Sequence, residues 1–179
     1  MIKLNIKNYK KVGILGGTFD PPHKGHLYIA KTALKKIKLN KIIWVVAERN
    51  PLKQKPYLSV KERIKLSKKI TKKERKIFVN FFDYKFKQKN TFNLITYIKK
   101  NNKKSKLYFL IGADSLIKFH KWKNWKKIPK LAKLIIFARK GYTNDALNSV
   151  ALKKLDRTDW FYINSKKINI SSSLIRKFW

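Results

Sequence analysis

Two of the chain's three histidines stand three residues apart in a short segment near the N-terminus. His23 and His26 belong to residues 16–26, with the sequence GGTFDPPHKGH, which follow a short apolar run. Residues three apart in a helix share one face, about 5–6 Å from each other. Two imidazole N–H donors at a helix N-terminus suit phosphate oxygens and can stabilise charge on a phosphoryl group during its transfer. This segment, the histidine motif, therefore predicts binding of nucleotide phosphates.

The other residues of the histidine motif favour the same interpretation. The glycine pair at 16–17 and Gly25 let the backbone approach a ligand. Asp20 or a neighbour is expected to cap the helix, with a proline from 21–22 in its first turn. The glycines do not match G-x-G-x-x-G and no Walker lysine is present, which disfavours dehydrogenases and P-loop enzymes. A metal site at the histidines is an alternative, but no carboxylate pair or third histidine lies near them in sequence.

The charge of the chain has two possible causes. Its 179 residues include 46 Lys and Arg against 9 Asp and Glu, a formal net charge of +37. Such a balance is typical of proteins that bind nucleic acid or another polyanion. Only six of the 46 are arginine, the better phosphate reader, and Lys, Ile and Asn have AT-rich codons. We expect genome composition to be the main cause, with selection for a polyanion as the alternative.

The composition also excludes several classes of protein. The absence of cysteine excludes disulfide scaffolds, thiolate catalysis, zinc-finger-type sites and iron–sulfur clusters. No apolar run has the length of a membrane span, and the N-terminus lacks the apolar segment of a signal peptide. The length predicts one domain over residues 1–179. We expect a cytoplasmic protein with no membrane partner.

Strands and helices alternate along the chain, and most of the strands are continuously apolar. Strands are predicted at 11–15, 41–47, 77–82, 107–111, 134–138 and 161–163. Helices are predicted after the histidine motif, from a capping box at Ser59 through about 70, from a cap at Thr91, and near 171–173, with a shorter helical region broken near Pro129. This order predicts a doubly wound α/β domain with a parallel sheet covered on both faces. Ligands bind such sheets at the carboxyl ends of the strands.

At this point a resemblance to a known family is evident. The form GGTFDP-x-H-x-GH resembles the signature of the nucleotidyltransferases with an H-x-G-H motif, and in particular the bacterial nicotinate-nucleotide adenylyltransferases. The resemblance implies a Rossmann-like nucleotidyltransferase domain. It implies adenylyl transfer from ATP to nicotinate mononucleotide, giving nicotinate adenine dinucleotide and pyrophosphate in NAD biosynthesis.

A second motif lies at the other end of the chain. Residues 170–176, ISSSLIR, place hydroxyls and free amides at a predicted helix start, with Arg176 one turn later. Taken alone, this serine motif also fits an ordinary helix cap beside a surface arginine. It is similar to the family segment that contacts the ATP phosphates, so the resemblance implies that Ser171, Ser172 and Arg176 do so here.

The resemblance implies roles for further residues. Trp122 would stack on the pyridine ring and Thr91 would help to hold its carboxylate, while Lys53 matches a basic residue in a loop over the phosphates. The implied catalytic residues are His23, His26 and Arg176. The implied ATP-binding residues are Gly16, Gly17, Thr18, Phe19, Lys53, Gly112, Asp114, Ser171 and Ser172.

The implied cofactor is Mg²⁺, held mainly by the ATP phosphates, with no metal site formed by the protein's own residues. The partners are ATP and nicotinate mononucleotide, without a specific nucleic acid, and an oligomer is compatible with the sequence. Two alternatives stay open. One is another acceptor in the same superfamily, either nicotinamide mononucleotide or phosphopantetheine. The other, from a different class, is a basic nucleic-acid-binding protein, although no RRM, KH or helix-turn-helix signature is present.

Overall fold

A parallel sheet forms the centre of the protein. The computed structural model describes residues 9–50, 52, 54–87, 89–164 and 170–178. The strands are β1 Lys11–Gly17, β2 Lys41–Val46, β3 Ile77–Asn80, β4 Lys106–Gly112, β5 Lys133–Phe137 and β6 Trp160–Ile163. They form one six-stranded sheet in the order β3-β2-β1-β4-β5-β6. All the pairings are parallel, which confirms the predicted doubly wound fold.

Helices cover both faces of this sheet. They are α1 Lys24–Lys36, α2 Val60–Thr71, α3 Thr91–Asn101, α4 Ala113–Ile117, α5 Ile128–Leu131, α6 Thr143–Leu147, α7 Val150–Lys154 and α8 Ser172–Arg176. Apolar residues of α1 and α2 pack on one face, around Trp44 and Ile135. Those of α3, α4 and α5 pack on the other face, around Ile43 and Phe109. Within the described ranges, no helix is long and apolar enough to cross a membrane.

Several predicted boundaries were wrong, each for a local reason. The third strand ends at Asn80 rather than at 82, since the chain then enters a short 3₁₀ helix that begins at Asp83. Pro129 does not break a helix. It lies in the first turn of α5, where no intrahelical hydrogen bond is lost.

The helices α6 and α7 were not predicted at all. Each has five residues, which is too short to show the helical period in the sequence. The cap of α3 was also assigned one residue too late. Its cap is Asn90, whose side-chain oxygen accepts the Asn93 amide, and Thr91 is the first helical residue.

Candidate active site

A cleft of about 900 Å³ opens across the carboxyl ends of β1 and β4. The strand order reverses between these two neighbours, because the chain runs from β1 outward to β3 before it returns to β4. Ligands of doubly wound sheets bind at such a reversal, and this volume lies within the range of small-molecule sites. The cleft is therefore the candidate active site.

The histidine motif forms one wall of the cleft, and its two imidazoles are held by backbone amides. The Gly25 amide donates to Nδ1 of His23 at 3.2 Å. The amide of His23 donates to Nδ1 of His26 at 3.3 Å. His23 is thus the cap of α1, and the two rings stack with their centroids 3.8 Å apart.

These hydrogen bonds determine the tautomer that each ring has when it is neutral. An Nδ1 that accepts a hydrogen bond leaves the ring proton on Nε2, so each neutral imidazole keeps Nε2–H as a donor. Burial, assisted by the positive charge of Arg139, lowers the pKa of His23 to about 4. His23 is therefore neutral at pH 7.

Two expectations about the histidine motif were wrong. Asp20 does not cap α1, since its carboxylate accepts the amides of Tyr57 and Leu58, each at 2.9 Å. Neither Pro21 nor Pro22 lies in the first turn of α1, since both precede its cap His23. Gly25 lines the cleft, and packing also requires a glycine there. A Cβ at this position would lie 2.9 Å from Nδ1 of His23 and 3.1 Å from Ile170, so the glycine is required by packing within the protein itself.

The serine motif docks directly on the histidine motif. Ser171 caps α8 by accepting the Leu174 amide at 3.1 Å. Ser172 Oγ donates to the Pro21 carbonyl at 2.8 Å, and the Arg176 guanidinium donates to the Asp20 carbonyl. The two ends of the chain therefore meet at one side of the cleft, as the sequence predicted.

The ends of β4 and β5 contribute an ion pair to the cleft. Asp114 follows Gly112 and binds Arg139, with Nη1 and Oδ2 2.6 Å apart. Arg139 also lines the cleft, close enough to His23 to affect its pKa. The sequence analysis missed Arg139. Its position directly after the fifth strand was the available signal, since ligands bind at the carboxyl ends of strands.

Arg63 is a second residue that the sequence analysis missed. It projects from α2, is 1% exposed, and donates only to backbone carbonyls. The acceptors are Leu58 at 3.0 Å, Thr18 and Ala47 at 2.6 Å, and Glu48 at 2.9 Å. Arg63 thus connects the histidine motif to the carboxyl end of β2 and to the start of α2. In a chain with 46 basic residues, nothing in the sequence distinguishes this one.

Buried carboxylates accompany Arg63. Desolvation lowers the pKa of Arg63, while the nearby charges of Asp20, Asp83 and Glu48 oppose this effect. Asp83 accepts the Glu48 amide at 2.6 Å, and its burial raises the pKa of its carboxyl group. Beside the end of β2, the buried polar groups of the cleft wall therefore have hydrogen-bond partners within the protein.

The far side of the cleft carries the residues expected to bind the second substrate. Thr91 lies in the first turn of α3. Trp122 is half-buried and packs against Phe109 and Phe119, with ring centroids 6.1 and 5.2 Å away. Both Thr91 and Trp122 line the cleft.

Every predicted site residue within the described ranges lines this one cleft. Lys53 lies outside the described residues. Among the described residues, no group of three His, Cys, Asp or Glu side chains can hold a metal ion.

Known proteins share this arrangement. The cytidylyltransferase-like family model matches residues 14–178. A probable nicotinate-nucleotide adenylyltransferase of Pelagibacter ubique (strain HTCC1062) is 47% identical over 167 residues, which cover 93% of this chain and 92% of that protein. The chain belongs to the nicotinate-nucleotide adenylyltransferase family. Another relative with this name, from Clostridium tetani (strain Massachusetts / E88), is 35% identical over 94% of this chain and 86% of its own length.

Solved structures support the fold of the family. The Plasmodium falciparum nicotinic acid mononucleotide adenylyltransferase complexed with NaAD superposes with a TM-score of 0.78 at 23% identity, covering 94% of this chain and 83% of its own. A putative nicotinate-nucleotide adenylyltransferase from Vibrio parahaemolyticus has a TM-score of 0.66 at 18% identity, covering 94% and 85%. Members of this family are nucleotidyltransferases, and this chain is one of them.

Proposed function

We propose that the cleft transfers the adenylyl group of ATP to nicotinate mononucleotide. An oxygen of the 5′-phosphate of the mononucleotide attacks the α-phosphorus of ATP in line. The bond from that phosphorus to the oxygen bridging the α- and β-phosphates breaks, and pyrophosphate leaves. The nucleophile is already an anion, so the protein contributes mainly by positioning and by charge stabilisation.

One observation carries this proposal: two imidazoles lie stacked at the N-terminus of α1, and each accepts a backbone amide at Nδ1, which leaves Nε2–H as the donor of the neutral ring. Donors that are fixed before the reaction stabilise developing phosphoryl charge without reorganisation. The helix dipole of α1 favours an anion at the same place. We assign the donors of His23 and His26 to the phosphate oxygens around the α-phosphorus.

The cations of the cleft are assigned to the remaining phosphate charge. Arg176 is 22% exposed at its side chain and lies beside Ser171 and Ser172, where a triphosphate can replace its contact with Asp20. A guanidinium binds phosphate through two parallel hydrogen bonds, which suits this exchange. Lys53 remains a predicted contact to the same phosphates.

The acceptor is assigned to the opposite side of the cleft. The indole of Trp122 offers a flat face for a pyridine ring, and amides of the first turn of α3 at Thr91 suit a carboxylate. Lys121 and Lys123 flank Trp122 and also line the cleft. Their charges favour the nicotinate acid over the nicotinamide.

Mg²⁺ enters this proposal as part of the MgATP substrate. Among the described residues, the three carboxylates that line the cleft have partners in the protein: Asp20 accepts two amides, Asp83 accepts the Glu48 amide, and Asp114 binds Arg139. This fits an ion held by phosphate oxygens and water rather than by a protein cage. The Mg²⁺ requirement, the cytoplasmic location, the single domain and the oligomeric state stay predictions.

Pyrophosphate release tests the function. Purified protein with MgATP is given nicotinate mononucleotide, nicotinamide mononucleotide or phosphopantetheine in parallel reactions. We expect release with the nicotinate compound, strongly preferred over the other two. Release with a different acceptor alone would keep the chemistry and refute the assigned substrate. No release from folded protein with any acceptor would refute adenylyl transfer.

A further inference from the structure

Four aromatic rings connect the sheet to the histidine motif. Trp44 of β2 stacks on Phe19, with ring centroids 4.5 Å apart and planes 29° apart. Phe19 meets His26 edge to face, at 4.9 Å and 81°. His26 stacks in turn on His23, and Trp44 itself approaches His26 at 6.1 Å and 74°. The His26 ring is therefore enclosed by three other rings.

We propose that Trp44 is a positioning residue, which acts through Phe19 to hold the His26 imidazole in the orientation that keeps its Nε2–H as a donor. The inference deepens the function proposed above, since it concerns the same site. It assigns a role to a residue of the sheet that does not itself line the cleft.

The position of Trp44 suits this role. It is 0% exposed and lies opposite Leu15 of β1, the strand that leads into the histidine motif. Its indole Nε1 is buried and has no hydrogen-bond partner among the described residues. A buried, unpaired N–H lowers stability, and a purely apolar side chain would fill the core without that cost. The indole instead provides the flat surface on which the Phe19 ring stacks.

Phe19 transmits the position of Trp44 because its own backbone is constrained. Its φ is 51°, in the left-handed region that residues other than glycine rarely adopt. The carbonyl of the preceding residue, Thr18, accepts a hydrogen bond from Arg63. A Cβ at Gly17 would lie 3.2 Å from the Phe19 ring, so the chain leaves space for this ring directly beneath the site.

One hydrogen bond to the His26 ring is long. The amide of His23 donates to its Nδ1 at 3.3 Å, which is long for an N–H···N bond and easily lost by rotation of the ring. The contacts with Phe19, His23 and Trp44 add a constraint that this hydrogen bond alone does not supply. A rotated imidazole loses the contact at Nδ1, and its proton then distributes between the two nitrogens.

Nitrogen NMR of the histidine side chains tests the proposal in the free protein. In the wild type at pH 7, the ¹⁵N shifts of His26 should report a single tautomer protonated at Nε2. In Trp44→Leu, the two shifts should move towards each other, and in Trp44→Phe they should return to the wild-type pattern. The matched control is Ile42→Ala, which makes a cavity on the same strand and the same face of the sheet. It should lower stability and leave the His26 shifts unchanged.

Kinetics give the second readout. Trp44→Leu should lower kcat about tenfold with little change in KM for ATP, as expected for a misplaced group that acts in the transition state. Trp44→Phe should recover most of this loss, and Ile42→Ala should show none of it. If Trp44→Leu does not fold, Phe19→Leu breaks the same stack one ring later and should change the His26 shifts in the same way.

Unchanged His26 shifts in the folded leucine variants would overturn the inference. Equal shifts in Ile42→Ala would also overturn it, because the effect would then come from any loss of packing. The NMR readout needs no substrate. A failure of the proposed reaction would therefore leave this test intact, and the two failures are distinguishable.

Discussion

The histidine motif and the serine motif both offer donors to phosphate, but they are anchored very differently. The histidine motif opens a 13-residue helix, and its His23 side chain is enclosed by backbone amides and a second ring. The serine motif opens a five-residue helix with no buried residue. Its anchors are the contacts of Ser172 and Arg176 with the histidine motif. In the proposed function, one motif is organised before substrate arrives, and the other exchanges protein contacts for phosphate contacts.

This difference predicts that the two motifs affect different kinetic parameters. Fixed donors act on the transition state and affect kcat, whereas contacts formed on binding affect KM. Substitutions in the two motifs should therefore separate these two parameters.

The largest effect is expected for His26→Ala. Loss of one preorganised donor should lower kcat about 10²–10³-fold. KM for ATP should change little, and the circular dichroism spectrum should be that of the wild type. Turnover close to the wild-type value would refute the assigned role of this residue.

His23→Asn is expected to lower kcat by about 10²-fold, at the lower end of that range, and to alter the pH dependence of stability. Asparagine keeps the cap of α1, because its side chain can accept the Gly25 amide. The lowered pKa of His23 means that the unfolded chain binds more protons between pH 6.5 and about 4. The wild type should therefore lose stability as pH falls through this range, and the variant should lose less. Urea unfolding at pH 7, 5.5 and 4 measures the difference, and identical losses would contradict the assignment.

Arg176→Ala should act mainly on affinity. The loss of charge-assisted hydrogen bonds to phosphate should raise KM for ATP roughly 10–100-fold, with a smaller change in kcat. The control is Arg157→Ala. Like Arg176, Arg157 lies over an aromatic ring, that of Trp160, and donates to a backbone carbonyl. Unlike Arg176, it lies outside the cleft. A fall in kcat without a change in KM would mean that the serine motif is as organised as the histidine motif.

The smallest effect is expected at Tyr57. Its ring is 70% exposed and lies 5.0 Å from the guanidinium carbon of Arg176. Such a contact stabilises the unbound position of Arg176 by about 0.5–1 kcal/mol at an exposed site. Tyr57→Ala should therefore lower KM for ATP about two- to fivefold, whereas Tyr57→Phe should not. A raised KM in Tyr57→Ala would show that the ring guides Arg176 towards ATP.

The sequence was sufficient to predict the sheet and the two motifs. Continuous apolar runs such as residues 41–47 have few alternatives to a buried strand, and alternation with helices predicts that the strands are parallel. The residues that line the cleft could be found because the carboxyl ends of the strands meet at one edge.

The contacts inside the site could not be predicted in the same way. Asp20 is bonded to amides 37 and 38 residues later, and Arg63 to a carbonyl 45 residues earlier. No local pattern encodes such pairings. The cap of α1 was ambiguous for the opposite reason, since Asp20 and His23 both have the side-chain chemistry of a cap and only the fold decides between them.

The buried guanidinium of Arg63 has a consequence for the opening motions of the protein. It bonds to carbonyls of three chain segments at once, while Asp20 holds the amides of Tyr57 and Leu58 beside it. None of these segments can separate without leaving a buried charge unpaired. Their amide hydrogens should therefore exchange with one shared free energy of opening, as a single cooperative unit that reaches from the end of β1 to the start of α2.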